Sequence, residues 1–273
     1  MSDGAEGSFT GLAVLSVASL VAGAVNAIAG GGTILTFPVL TAILPVDAAR
    51  LVTANATSTI GLWPAALVSA WSSRGSREGL PSWARWLVVP SLVGGMIGTL
   101  LVLCLPPAWF DGLVPWLILS AAVLFSIQPS VAARAASRDG GDGSTTTSRL
   151  LLTCGLQLLV GIYGGYFGAG IGILMLAVLA LLGLGDIHRL NAVKNVLATA
   201  INGVAAVVFA AGSFVGSHDV AWGHAGVMAV AAMIGSLGAT HVSRRLAPAV
   251  MRKMVAIIGF GLAGYYFWRQ WFA

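Results

Sequence analysis

Long apolar runs alternate with short polar or glycine-rich interruptions along the whole chain, and this pattern predicts ten helical segments. In the first half the predicted segments cover 9–29, 33–44, 48–71, 83–104 and 109–131. In the second half they cover 150–168, 170–184, 188–213, 221–241 and 248–268. Most of them approach the roughly 20 residues that a helix needs to cross the hydrocarbon layer of a bilayer. The pattern therefore predicts an all-α integral membrane protein.

Composition supports this fold class. Hydrophobic residues make up 58% of the chain and charged residues only 8%, whereas an ordinary soluble domain has about 25% charged residues. The apolar runs are continuous, which excludes the alternating pattern of a transmembrane β-barrel. The net charge of +5 comes from basic residues scattered between apolar runs. They form no basic face, so nucleic acid is not a predicted partner.

One short sequence motif occurs twice in the chain. The first copy reads Ala29-Gly30-Gly31-Gly32-Thr33-Ile34-Leu35, and the second reads Gly168-Ala169-Gly170-Ile171-Gly172-Ile173-Leu174. Each copy is followed by an Asp three residues before an Arg-Leu pair, and then by an Asn and a Thr four residues apart. We interpret the two halves as duplicates. The predicted organisation is an N-terminal transmembrane repeat at 9–131, a flexible cytoplasmic linker at 132–149 and a C-terminal transmembrane repeat at 150–268.

The basic residues predict the orientation of these repeats. Lys and Arg cluster after the third segment, in the central linker and before the last segment, whereas the loops around Asp111 and Asp219 contain neither. The positive-inside rule assigns the first three regions to the cytoplasm and the other two to the exterior. Equivalent loops of the two halves thus fall on opposite faces. This predicts inverted repeats with both termini outside. An alternative with eight spans places a basic cluster outside and is rejected.

The second segment of each half is short. Twelve to fifteen helical residues rise only about 18–22 Å, less than the hydrocarbon thickness. We therefore expect the junctions Gly30–Gly32 and Gly168–Gly170 to be the tips of helical hairpins recessed into the membrane. The helix that follows each tip would present free N–H donors, which suit an anion. The alternative is close packing of small residues between membrane helices.

Polar residues near mid-membrane are the second group of candidates. Asn55 and Thr59 share one helical face, as do Asn195 and Thr199, with Asn202 further along. Such groups either face a ligand or form hydrogen bonds between helices. Lys194 is the only basic side chain within an apolar run. It either attracts an anionic substrate or snorkels to the cytoplasmic surface.

No catalytic, metal or cofactor site is predicted. The histidines are dispersed, and the chain has no P-loop or other catalytic signature. Asp47 and Asp186, each three residues before an Arg, are predicted to cap helices and to form local ion pairs rather than to gate a pore. The chain is therefore predicted not to be an enzyme, and any transport would be driven by a gradient of the substrate or of a coupling ion, H⁺ or Na⁺.

Two glycine-rich motifs resemble a known family. They are Ala29-Gly30-Gly31-Gly32 with Pro38-Val39-Leu40, and the run from Gly164 to Gly172. These motifs and the duplication resemble the sulfite exporter family TauE/SafE. The resemblance implies transport of sulfite or an organosulfonate, such as sulfoacetate, across a bacterial inner membrane. It also implies that the tips and the polar faces after them form the substrate site.

The sequence thus predicts a secondary transporter, with export expected, that works by alternating access around a midplane site. Its predicted partners are a small anion, the lipid bilayer and a coupling ion. The alternatives are a passive anion channel and a non-transporting membrane scaffold. The predicted substrate-binding residues are Gly30, Gly31, Gly32, Asn55, Thr59, Gly168, Gly170, Lys194, Asn195 and Thr199.

Overall fold

A computed structural model of the protein describes residues 2–28, 30–47, 49–73, 81–137, 147–181, 187–242 and 248–272. These residues form helices and connections, with no strand among them. The helices are α1 (Ser2–Ile28), α2 (Thr33–Ile43), α3 (Arg50–Ser73), α4 (Ala84–Cys104), α5 (Pro107–Ser137), α6 (Thr147–Tyr166), α7 (Ile171–Leu181), α8 (Ile187–Phe214), α9 (Trp222–Val242) and α10 (Pro248–Phe272). Each predicted segment corresponds to one of these helices.

Six of the helices are long and apolar enough to cross a membrane: α1, α3, α4, α5, α8 and α9. The protein is therefore a multi-pass membrane protein. Helices α2 and α7 have only 11 residues each, which is too short to span the hydrocarbon layer. These two are the helices that follow the glycine motifs.

The described helices extend into both ends of the predicted linker at 132–149. Helix α5 continues to Ser137, and α6 begins at Thr147. The extension of α5 follows from its sequence, because Ala132, Ala133, Arg134, Ala135 and Ala136 are strong helix formers. Residues 138–146, the central part of the predicted linker, lie outside the described residues.

The most extensive helix contacts join the two halves of the chain. Helix α1 packs on α9, and α4 packs on α6. Glycines bring these backbones together, because a Cβ at Gly23 would overlap the carbonyl of Ala232 and a Cβ at Gly98 would overlap the carbonyl of Ile162. Small residues at helix contacts are the usual means of close packing in membranes. These two interfaces therefore pack backbone against backbone.

We divide the helices into two groups. The six-helix group contains α1, α3, α4, α6, α8 and α9, which have the most extensive contacts with one another. The four-helix group contains α2, α5, α7 and α10; its short helices α2 and α7 also pack on the six-helix group, α2 on α1 and α3 and α7 on α6 and α8. If α1–α5 are matched in order with α6–α10, each group consists of matched pairs. The α1–α9 contact then matches α6–α4, and the α2–α10 contact matches α7–α5. Each half of the chain contributes three helices to the six-helix group and two to the four-helix group.

Candidate functional site

The two glycine motifs meet inside the protein. A Cβ added at Gly31 would overlap the amide nitrogen of Gly170 and lie 3.0 Å from its Cα. A Cβ added at Gly30 would lie 3.1 Å from the Cα of Gly172. Gly30 to Gly32 and Gly168 to Gly170 are all buried. The structure thus brings together two motifs that are far apart in the sequence; we call Gly30–Gly32 the first tip and Gly168–Gly172 the second tip.

Glycine is required at the tips by backbone conformation as well as by space. The φ angles are 73° at Gly30, 109° at Gly31, 78° at Gly168 and 74° at Gly170. These angles lie in the left-handed region, where a side chain costs about 1–2 kcal/mol. Each tip therefore turns sharply from the helix that enters it into the short helix that leaves it.

Several tip N–H groups are already hydrogen-bonded. Gly30 N–H donates to the carbonyls of Val25 (3.2 Å) and Asn26 (3.1 Å), and Gly31 N–H donates to Asn26 Oδ1 (3.2 Å). Gly168 N–H donates to the carbonyl of Tyr163 (3.3 Å). These bonds close the ends of α1 and α6. Gly30, Gly31 and Gly168 therefore differ from the prediction, because their N–H groups are not free for an anion.

Free N–H donors lie further along the chain, after Gly31 and after Gly168. Among the described residues, the N–H groups of Gly32, Gly170 and Gly172 have no hydrogen-bond partner. They lie at the beginnings of α2 and α7, where a helix leaves its first N–H groups unpaired and carries partial positive charge. Of these three, Gly172 is absent from the predicted site, although it belongs to the second glycine motif.

Amide side chains from the six-helix group face the second tip. Asn55 on α3 is fully buried and donates from Nδ2 to the carbonyl of Tyr166 (3.0 Å), while its Oδ1 has no described partner. Asn202 Oδ1 on α8 lies 3.5 Å from the position of a Cβ at Gly168, and Thr33 Oγ1 lies 4.0 Å from it. Asn202 is seven residues after Asn195, on the same helical face, which is the signal that could have placed it in the site.

The other predicted polar residues bond to backbone. Thr59 Oγ1 donates to the carbonyl of Asn55 (2.9 Å). Thr199 Oγ1 donates to the carbonyl of Asn195 (2.7 Å) and to that of Ala66 on α3 (3.0 Å). Thr199 thus forms the hydrogen bond between helices that was the alternative to ligand binding. Asn195 is partly buried beside it.

Lys194 is inside the protein. Its side chain is 1% exposed, so it does not snorkel to the surface. It shares a buried face of α8 with Leu190, Leu197 and Ile201, and no described residue forms an ion pair or hydrogen bond with it. Ile201, which packs beside Gly164 in the last turn of α6 before the second tip, is two helical turns or about 10 Å from Lys194. Lys194 therefore lies between the tips and the beginning of α8 rather than at the tips.

Asp47 closes the turn before α3, but within the described residues it forms no ion pair with Arg50, contrary to the prediction. Its Oδ1 accepts a hydrogen bond from Ala49 N–H (2.9 Å) just before α3. Its counterpart Asp186 lies outside the described residues.

Comparisons with known proteins agree with this architecture. Residues 15–266 match the family model described as sulfite exporter TauE/SafE. The chain is 25% identical to the "Probable membrane transporter protein ORF9" of Sinorhizobium sp, over 92% of this chain and 90% of that protein. It is 28% identical to a "Probable membrane transporter protein" of Haemophilus influenzae, over 91% of each. No solved structure matches it. A match over nearly the whole chain means that the protein belongs to the sulfite exporter TauE/SafE family of membrane transporters.

Proposed function

We propose that this protein is a secondary transporter that exports small sulfur-containing anions, such as sulfite or an organosulfonate like sulfoacetate. Family membership supports transport, and the family's description supports the substrate class. The observation that carries the proposal is the meeting of the two tips beside Asn55 and Asn202. Broken helices whose N-termini converge near mid-membrane are a recurrent arrangement in secondary transporters.

The free donors of the tips would hold the anion. The N–H groups of Gly32, Gly170 and Gly172 lie at helix beginnings, and backbone N–H groups there bind oxyanions without a charged side chain. Asn55 Nδ2 and Thr33 Oγ1 supply further polar groups from the surrounding helices. Gly31 and Gly170 are in contact, so the tips must separate before an anion fits between them. The described conformation is accordingly closed at this point.

Two cavities at opposite ends support inverted repeats. The beginnings of α3 and α5 and the end of α10 line one cavity, through Arg50, Asp111 and Arg269. The beginnings of α4 and α8 line another, through Arg85 and Val193. Because α4 ends where α5 begins, these cavities lie at opposite ends of the bundle. Helices α3 and α8, which carry the matching Asn and Thr residues, thus run in opposite directions.

The packing suggests which parts move. Rocking of one repeat against the other would separate α1 from α9 and α4 from α6, the most extensive contacts between described helices. Movement of the four-helix group against the six-helix group leaves both interfaces intact. Helices α2 and α7, with their tips, belong to the four-helix group. Asn55 and Asn202 belong to the six-helix group. We therefore propose that substrate binds at the boundary between these groups and that alternating access opens this boundary.

Lys194 would attract the anion from the cytoplasmic side. A buried cation without a counter-ion is costly, and an anion passing nearby lowers that cost. In the predicted orientation the beginning of α8 is cytoplasmic, so the anion would meet Lys194 before it meets the tips.

Counterflow in proteoliposomes tests the proposed function. Vesicles containing the purified protein are loaded with unlabelled sulfite or sulfoacetate, and uptake of the ³⁵S-labelled anion is followed. A carrier gives saturable uptake that is accelerated by anion on the opposite side. A passive channel gives flux that neither saturates nor shows counterflow, and a scaffold gives no flux. Imposed H⁺ and Na⁺ gradients then identify the coupling ion.

A further inference from the structure

A charged cavity of about 380 Å³ lies at one end of the protein. It is formed by the α2–α3 connection, the first turns of α3 and α5 and the last turns of α10. Its polar lining consists of Asp47, Arg50, Asp111, Tyr266, Arg269 and Gln270. Helix α3 belongs to the six-helix group, whereas α5 and α10 belong to the four-helix group. The cavity therefore lies over the boundary at which we place the substrate pathway.

The two arginines of this cavity are exceptional in their location. The chain has 14 Lys and Arg residues, and in the predicted orientation only Arg50 and Arg269 fall at the external face. The positive-inside rule disfavours basic residues there. Both exceptions nevertheless line the same cavity. Membrane topology does not account for this pairing, whereas binding of an anion does.

The charges in the cavity leave the guanidinium groups available. The Asp47 carboxylate accepts a hydrogen bond from Ala49 N–H. Arg50 and Arg269 attract the Asp111 carboxylate electrostatically, but neither guanidinium has a direct ion pair within the described parts of the chain. Asp111 Oδ1 is itself buried without a hydrogen-bond partner. A guanidinium carries five N–H donors in a planar fork, which matches two oxygens of a sulfonate or sulfite group.

We propose that this cavity is an external binding site for the oxyanion group of a small sulfonate or sulfite, held between Arg50 and Arg269. Asp111 opposes the anion by like-charge repulsion and so limits the affinity. During export the site binds the anion at the outer face before the anion is released. During import it binds the anion that arrives from outside. This inference rests on the proposed function for the identity of the substrate, but the binding site is testable without transport.

Site protection measures binding directly. The native Cys104 and Cys154 are replaced by Ser, and Gly112→Cys is introduced in the cavity wall, where a Cβ would meet only Gln270 Nε2 at 3.9 Å. The rate of maleimide labelling from the outside is measured against sulfoacetate concentration. We expect saturable protection, a half-protecting concentration about tenfold higher with Arg269→Gln, and a lower one with Asp111→Asn. Arg85→Gln, an exposed arginine at the opposite end, leaves the value unchanged.

The outcomes separate this site from the transport proposal. Protection that Arg269→Gln weakens and Asp111→Asn strengthens supports the site, even if the protein shows no anion flux and the proposed function fails. Absence of protection, or equal protection in all variants, overturns the site, even if wild-type protein carries sulfite. In a transporting protein, Arg269→Gln should also raise the external half-saturation concentration about tenfold and leave the internal one unchanged.

Discussion

Gly31 and Gly170 lie back to back, so that a Cβ on Gly31 would overlap the amide nitrogen of Gly170. Each residue has a positive φ angle, and each precedes a helix that is too short to span the membrane. The contact leaves no room for an anion between Gly31 and Gly170. Opening and closing of this contact is therefore the step on which the proposed transport depends.

Gly31→Ala should abolish transport and lower stability. The side chain adds backbone strain of about 1–2 kcal/mol and forces the tips apart, which costs about 1–3 kcal/mol more in a packed interior. We expect a clear fall in the apparent melting temperature in detergent and loss of counterflow in proteoliposomes.

Gly216→Ala is the matched control for this variant. Gly216 has φ 74°, so alanine is strained there too, but a Cβ at this position has nothing within 4 Å. It should lower stability slightly and leave counterflow intact. Equal counterflow in Gly31→Ala and Gly216→Ala would remove the tip contact from the mechanism.

Asn55→Ala should reduce transport by more than its loss of stability accounts for. The variant leaves the buried carbonyl of Tyr166 without its donor, at a cost of about 1–3 kcal/mol. It also removes a polar group from the second tip. Ser69→Ala is the control, because it removes a buried hydroxyl that bonds to Ala65 and Ser236 within the six-helix group. Both variants should melt earlier, but only Asn55→Ala should lose about tenfold or more in initial flux. Similar flux in the two variants would reduce Asn55 to a packing role.

Lys194→Met should raise stability and lower transport. Removal of a buried charge that lacks a described partner relieves a desolvation cost, and replacement by an apolar residue of similar length is stabilising by about 1 kcal/mol or more. The anion then loses the cation that attracts it. Lys253→Met, at an exposed lysine, should change neither property. A fall in the melting temperature of Lys194→Met would indicate that the lysine is stabilised by a group that the account does not include.

His218 should make the α8–α9 connection sensitive to acid. Burial lowers the pKa of His218, and Asp219 and a backbone hydrogen bond oppose this only in part. The ring packs on Phe209 with centroids 5.7 Å apart, and its Nε2 has no described partner. The folded protein therefore binds fewer protons here than the unfolded chain does. The stabilisation is complete above the ordinary histidine pKa and is lost as the pH falls below it.

The measurement is the apparent melting temperature between about pH 7.5 and pH 5. Wild-type protein should melt progressively earlier as the pH falls, and His218→Gln should show a shallower dependence. An identical slope in His218→Gln would exclude the histidine as the source of the acid sensitivity.

The helices and the glycine-rich junctions between them were predictable from the sequence, because apolar length and glycine position are local properties. The short α2 and α7 follow directly from the distance between Gly32 and Pro45 and between Gly170 and Gly185. The extended ends of α5 and α6 were missed because a polar composition was taken as a loop, although Ala132–Ala136 favour a helix.

The detailed site was less predictable, because it depends on contacts between distant residues. Which N–H groups are free depends on how α1 and α6 end, and only the structure shows Gly30 bonded to Val25 and Asn26. The burial of Lys194 depends on the rotation of α8 about its axis. Arg50 and Arg269 are far apart in the sequence, so no local sequence pattern indicates that they line the same cavity.

Two disulfides test the central claim, that the four-helix group moves against the six-helix group. Thr36 on α2 and Ser58 on α3 belong to different groups but to the same repeat, with their hydroxyl oxygens 2.7 Å apart. Ser69 on α3 and Ser236 on α9 belong to the same group but to different repeats, with their hydroxyl oxygens 3.0 Å apart. Both distances are compatible with cross-linking of paired cysteines. Each pair is introduced in protein that lacks Cys104 and Cys154.

Counterflow of labelled sulfite is measured before oxidation, after complete oxidation and after reduction. The account predicts that oxidation of Thr36→Cys/Ser58→Cys stops counterflow and that reduction restores it, while oxidised Ser69→Cys/Ser236→Cys continues to transport. The reverse result is that the 69–236 disulfide stops counterflow while protein with the 36–58 disulfide continues to transport. That result would contradict the account and favour rocking of one repeat against the other.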